Sequence, residues 1–341
     1  MRFGIFYEHQ LPRPWTPGLE LKLFQDALDQ VELADGLGFD NVWEVEHHFL
    51  EEYSHSSAPE IFLAACSQRT KQIRLGHGIV LMPPGYNHPA RVAERIATLD
   101  LVSRGRVEWG TGESSALLEL DGYGVPVADK RNAWAEAVEQ CANMLAMDPY
   151  PGFEGRYFSM PTRNIVPKSV QKLHPPLWVA CSNRETIKLA ARLGIGALTF
   201  AFVDPAEARQ WVDDYYRILK EECVPIGHAV NANIATVSNF SLHKDRDEAI
   251  RRGHEGFEFF GLLEGATGDD DRFERADIGV EAVPRRHDAP YGGPAYHDRS
   301  QRAGRGDLHR TESDLQVLQH SPGFAFRDQA VDEFPSAAPV K

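Results

Sequence analysis

Short apolar runs of strand-forming residues alternate with helix-spaced segments from Arg2 to about His254, and that rhythm leaves few folds open. RFGIFYE reads as a first strand. Gly18 to Leu37 then carries Leu21, Phe24, Leu28, Val31 and Ala34 at helical spacing, with Gly38 as the stop. Asn41 to Val45 reads as a second, buried strand rich in Val and Trp, and it runs into the triplet Glu46-His47-His48. Pro59 to Arg69 is a short apolar helix. IRLGHGIVLMP is a third strand, in which Gly76 and Gly78 mark a bulge or a close backbone approach. Pro89 suits the first position of a helix through Val102, and RVEWGTG is the fourth strand.

After Gly112 the rhythm breaks for a helix over Lys130 to Met147 and a Pro-rich excursion of the kind that covers a site. It resumes with LWVACS, a helix whose start pairs Ser182 with Glu185 as a capping box, and IGALTF. A helix with Asp204 as N-cap and Pro205 at its first position follows, then ANIATVSNFSLH and the helical pattern DRDEAIRRGHEGFEFF. Seven strands with intervening helices fit a (β/α)8 TIM barrel short of its last strand, with a doubly wound open sheet as the alternative. In either, ligands sit at the carboxyl ends of the strands, which places His47 on the chemically active rim.

The chain from Gly268 on is different. Ile, Leu, Val and Phe make up 13 of its 74 residues, below the level at which a packed core forms. The expected division is therefore 1–267 as barrel and 268–341 as a mostly irregular tail that protease clips early, near Gly265 to Arg275. DRFERADIGVEAVP is the best candidate for an eighth strand, but charge and proline surround its apolar residues. Leu315, Val317 and Leu318 hint at a short helix. The reading predicts no run after Leu263 able to pair with the first strand, leaving RFGIF as an open edge.

Composition narrows the partners. A net charge of −14 argues against nucleic acid or an anionic membrane. No stretch approaches the roughly 18 apolar residues of a transmembrane helix, and no signal-peptide pattern precedes the first strand, so the expected location is cytoplasmic. Cys66, Cys141, Cys181 and Cys223 lack metal spacing and read as free thiols. Adjacent Glu46, His47 and His48, without a second ligand cluster, make a weak case for a metal.

Four stretches in order resemble the luciferase-like flavin monooxygenase family over roughly residues 1 to 263. They are RFGIFYE, GFDNVWEVEHHF, IRLGHGIVLMPPGYNHPARVAERIATLDLVSRGRVEWGTGE and PPLWVACSNRETIKLAARLG, with HPARVAERIATLDLVSRGR the most specific. The resemblance implies a TIM barrel that takes reduced FMN from a separate reductase and uses molecular oxygen on a small organic substrate, commonly as a homodimer. It makes His47 the active-site histidine, a candidate general acid/base, and implies a non-proline cis peptide at His77-Gly78 beneath the flavin. It draws Gly110, Thr111, Arg131, Val179, Ala180, Cys181, Ser182, Asn183 and Thr186 toward the cofactor, with the helix start after Ser182 as an anion site. Thr111 stands where many members carry an arginine, which removes one phosphate-pairing charge. A deazaflavin-dependent hydride-transfer enzyme and a non-catalytic flavin-binding subunit are the alternatives.

Overall fold

The computed structural model describes residues 2–200, 205–254 and 324–328. The chain divides into two units, Met1–Phe240 with Gly323–Lys341, and Ser241–Pro322. In the second unit the described residues include a helix over 246–254, where Asp245 Oδ1 accepts from the Glu248 backbone N–H and Glu248 pairs with Arg251 and Arg252.

The first unit is a barrel with helices. Its strands are β1 (Arg2–Tyr7), β2 (Asn41–Glu44), β3 (Arg74–His77), β4 (Val80–Leu81), β5 (Val107–Gly112), β8 (Leu177–Cys181), β9 (Gly196–Phe200), β10 (Ile234–Asn239) and β11 (Phe324–Asp328), with β6 (Phe153–Glu154) and β7 (Ser159–Met160) as a separate hairpin. The helices are α1 (Leu19–Leu37), α2 (Pro59–Arg69), α3 (Pro89–Val102), α4 (Leu117–Gly122), α5 (Lys130–Ala146), α6 (Arg184–Arg192) and α7 (Pro205–Glu222). From β1 through β2, β3, β5, β8 and β9 to β10 every pairing is parallel, as βαβ connections require. All seven strands expected from the sequence are present, the third broken at Gly78 into β3 and β4.

The eighth position corrects the sequence reading. Phe324–Asp328 pairs antiparallel with both β1 and β10, setting Gly4 against Phe326 and Val237 against the same residue. Five residues need no apolar neighbours to form such a rung once two strand edges wait on either side, and averaged composition hides so short a run. RFGIF is therefore not an open edge. DRFERADIGVEAVP, the residues around Leu315, the expected cleavage region and Asp204 lie outside the described residues.

Inside the barrel two indoles fill the space. Trp43 and Trp178 meet edge to face at 5.4 Å, both buried. Each lies over a glycine: a Cβ on Gly76 would fall 2.2 Å from Trp43 Cε3, and one on Gly196 2.3 Å from Trp178 Cε3. Below them Glu108 binds the Trp178 indole N–H at 2.7 Å and pairs with Arg74. Outside, Val31, Leu63, Leu75, Ile96, Val107 and Val138 belong to the sheet–helix core. Pro89 and Pro205 open their helices as expected, and Gly38 ends α1 in the left-handed region at φ 85°.

Gly76→Ala is expected to destabilise the fold by about 1–3 kcal/mol in denaturant unfolding, because the indole beside it is locked on all sides. Gly36→Ala, on the exposed face of α1 with nothing near its Cβ, is expected to stabilise by about 0.5–1 kcal/mol and serves as the control.

Candidate active site

β2 ends at Glu44, so Glu46, His47 and His48 lie in the turn beyond it and strand alternation does not govern them. One carboxylate holds both residues, His47 by its ring and His48 by its backbone N–H. His47 Nδ1 lies 2.8 Å from Glu119 Oε1, and the same oxygen accepts the His48 backbone N–H at 2.8 Å. Ser114 Oγ donates to the other Glu119 oxygen. His48 Nε2 is 3.3 Å from Glu46 Oε1, and its Nδ1 is 3.2 Å from the Tyr123 hydroxyl. The Tyr53 ring stands 5.5 Å from His47 and donates its hydroxyl to Glu8.

Glu119 is fully buried, whereas the His47 side chain is a quarter exposed. Burial alone pulls the His47 pKa down, but the Glu119 hydrogen bond and charge, with Glu8 and Glu46 beyond, outweigh it and raise the value above 6.5. Burial likewise pushes the Glu119 carboxyl up, and its bonds to His47, Ser114 and His48 bring it below the usual range. With Nδ1 committed to the carboxylate, Nε2 is the nitrogen left to exchange a proton. Glu119 escaped the sequence reading because α4 has only six residues, too short for a helical period; a lone acid among Leu117, Leu118 and Leu120 was its only signal.

The expected cofactor residues divide by strand alternation. Val179 and Cys181 are buried in the sheet–helix core, while Ala180 between them is exposed and shares the inward face of Trp178. Ser182 and Asn183 are exposed at the head of α6. The capping box is corrected here: Asn183, not Ser182, is the N-cap, its Oδ1 accepting from Thr186 N at 3.0 Å, and Glu185 turns to Lys188. Thr186 is buried on that same cap. Arg131 is half exposed and grips Glu113 with two bonds of 2.8 and 2.7 Å. Glu113 directly follows β5, so Arg131 stands at the carboxyl end of that strand.

Thr111 is buried, donates to Trp178 O at 2.8 Å and accepts from the Trp134 indole at 3.1 Å. Its side chain ties β5, β8 and α5 together. Gly110 allows close approach, since a Cβ there would meet His77 O at 1.9 Å. The His77-Gly78 peptide is not among the cis bonds of the described residues, which correct that expectation; the Gly78 N–H donates instead to Glu44 O at 2.7 Å, prolonging the β2 ladder. His77 is buried, and burial above all lowers its pKa to about 4. All four cysteines are free. Among the described residues no helix is long and apolar enough to cross a membrane.

A barrel of seven parallel strands closed by one antiparallel strand, with a histidine–carboxylate pair at its carboxyl mouth, defines a class of barrel proteins with a geometry able to move a proton there. The profile of the luciferase-like monooxygenases matches residues 1–330, and the chain belongs to that family. It superposes on the monooxygenase RslO1 from Streptomyces bottropensis with a TM-score of 0.68 and 29% identity, covering 80% of this chain and 82% of that one. It is 26% identical over 200 residues to the oxygenase component of a flavin-dependent trigonelline monooxygenase from Acinetobacter baylyi, covering 57% of this chain and 52% of the relative. It is 30% identical over 183 residues to an F420-dependent glucose-6-phosphate dehydrogenase from Microbacterium testaceum, covering 53% and 54%. The chain spans about half the length of the curated relatives it matches.

The His47–Glu119 pair generates a pH prediction. A histidine whose folded pKa is raised contributes stability that is complete below the unfolded value near 6.5 and is lost as pH rises through the folded value. Glu119→Gln is expected to lower the His47 pKa in an NMR titration and to narrow the stability gap between parent and variant at pH values above the folded pKa. An unmoved His47 titration removes Glu119 as its controlling charge.

Proposed function

We propose that this chain is a flavin-dependent monooxygenase that binds reduced FMN at the barrel mouth and, with molecular oxygen, oxygenates a small organic substrate. The observation that carries this reading is His47 held by buried Glu119, in a member of the luciferase-like family, with Arg131 and Ser182 at the carboxyl ends of the paired strands β5 and β8.

The donor set fits a flavin phosphate. The Ser182 hydroxyl, the first-turn N–H groups of α6 and the Arg131 guanidinium are the residues that would hold it. Arg131 lies on Glu113 as it stands, so a phosphate must share or displace that carboxylate. When bound, reduced flavin supplies the electrons for oxygen chemistry. The protein supplies the rest. Ala180 offers a small, exposed inward position, Trp43 and Trp178 close the barrel from below, and His47 moves a proton at Nε2 with its orientation set by Glu119. The relative described as an oxygenase component supports a separate reductase as the source of reduced flavin.

A deazaflavin-dependent hydride-transfer enzyme is the second reading, favoured by the F420-dependent relative. A non-catalytic flavin-binding subunit loses support, because Thr111 is part of the framework and β11 fills the place that looked empty.

Anaerobic titration with reduced FMN, followed by admission of oxygen with the flavin spectrum recorded, tests the proposal. Saturable binding and oxygen uptake are expected; binding of deazaflavin alone, without oxygen uptake, transfers the assignment to the second reading. Ser182→Ala with Arg131→Ala is expected to weaken reduced-FMN binding by about 2–4 kcal/mol. His47→Ala is expected to spare binding and lower turnover about 10²–10⁴-fold. Undiminished turnover in that variant removes His47 from the chemistry.

A further inference from the structure

The barrel wall has a gap between β2 and β4 that side chains fill. β2 pairs with β3 from Asn41 opposite Arg74 to Glu44 opposite His77, and the ladder stops at the Gly78 N–H bond to Glu44 O. Beyond the break, β4 pairs only with β5, setting Val80 against Thr111 and Leu81 against Gly112. On the side facing β2, Leu81 still carries an N–H and a carbonyl that need partners. Glu46 Oε2 accepts the Leu81 N–H at 2.7 Å. Asn87 Nδ2 donates to Leu81 O at 2.9 Å and to Glu46 Oε1 at 2.9 Å. Arg95 then donates to Asn87 Oδ1 at 2.6 Å and pairs with Glu60, which anchors the set on α3 and α2.

We propose that Glu46 is a positioning residue: with Asn87 it replaces the strand that β4 lacks on its β2 side, and so holds the His47–His48 turn and the Gly78–Ile79 break in one fixed relation. A small cavity lined by Glu46, Glu60, His77, Val92 and Arg95 lies beside this network. The Glu46 carboxylate is an acceptor at both oxygens, as the Leu81 N–H and the Asn87 amide NH2 require, and His48 Nε2 lies 3.3 Å from the oxygen that Asn87 reaches. A glutamine there must turn its own NH2 toward one of them. The consequence for the cofactor rests on the flavin reading above; the consequence for the wall does not.

Glu46→Gln is therefore read by site-resolved amide hydrogen exchange and by the dissociation constant for reduced FMN. Leu81 is expected to exchange about tenfold faster, with Val42 and Trp109 within about twofold of the parent, and FMN binding to weaken about tenfold. A merely structural role accelerates all core amides together. Uniform acceleration, or an unchanged Leu81 rate, overturns the proposal. Should Glu46→Gln fail to fold, Asn87→Ser, which leaves the Glu46–Leu81 bond, carries the test: faster exchange confined to residues 79–82 supports it and a uniform change overturns it. If the parent itself does not bind reduced FMN, the flavin reading falls, and the exchange rates alone decide the role of Glu46.

Discussion

The barrel depends on two tryptophans each set over a glycine. Trp43 on β2 and Trp178 on β8 come from separated strands and meet in the middle, so their contact spans the barrel and fixes its diameter from within. Only the missing side chains of Gly76 and Gly196 leave room for the rings. A plug of this size makes the lower barrel a solid core and confines any ligand to the carboxyl mouth above it. Glu108 seals the underside by taking the Trp178 N–H and the Arg74 guanidinium.

Around that plug, buried acids do the work of joining segments. Glu44 links β2 to His9 after β1 and to Ser56, Glu46 links the turn after β2 to β4, and Glu119 links α4 to the His47 turn. A buried carboxylate is costly unless hydrogen-bonded: Glu46 and Glu119 are answered at both oxygens, whereas Glu44 takes His9 and Ser56 on one oxygen and has no partner on the other. Their environments differ in sign. Burial dominates at Glu44 and Glu108 and raises both, whereas three polar partners, His47, Ser114 and His48, win at Glu119 and lower it.

Strand and helix periods were readable because they repeat: β1 to β10 and the long helices follow from Val, Ile and Trp runs, Gly38, Pro89 and Pro205. The mouth was readable as a place, since strands end there, and His47 with it. Its wiring was not. Glu119 sits in a helix too short to have a period, and Thr111 is polar in sequence yet locked between Trp134 and Trp178. Alternation separates Ala180 from its neighbours Val179 and Cys181, but which of them faces inward depends on register, which only the Trp178 contact establishes. Ser182 and Asn183 are both good caps, and one backbone dihedral chose between them.

The antiparallel strand has a consequence for how the molecule comes into being. β10 and β11 are separated by residues 240–323, whereas the strands before them are joined by shorter intervals, the longest running from β5 to β8 through α4, α5 and the β6–β7 hairpin. Closing so long an interval costs little extra at equilibrium, about 0.6 kcal/mol for each doubling of length. The penalty falls on time. As the chain leaves the ribosome, β1 is made long before β11, so one flank of β1 waits for its neighbour through the synthesis of everything between them. During that interval a second nascent copy can offer the same backbone hydrogen bonds, and yield of native protein becomes a race between the chain's own last segment and a stranger's.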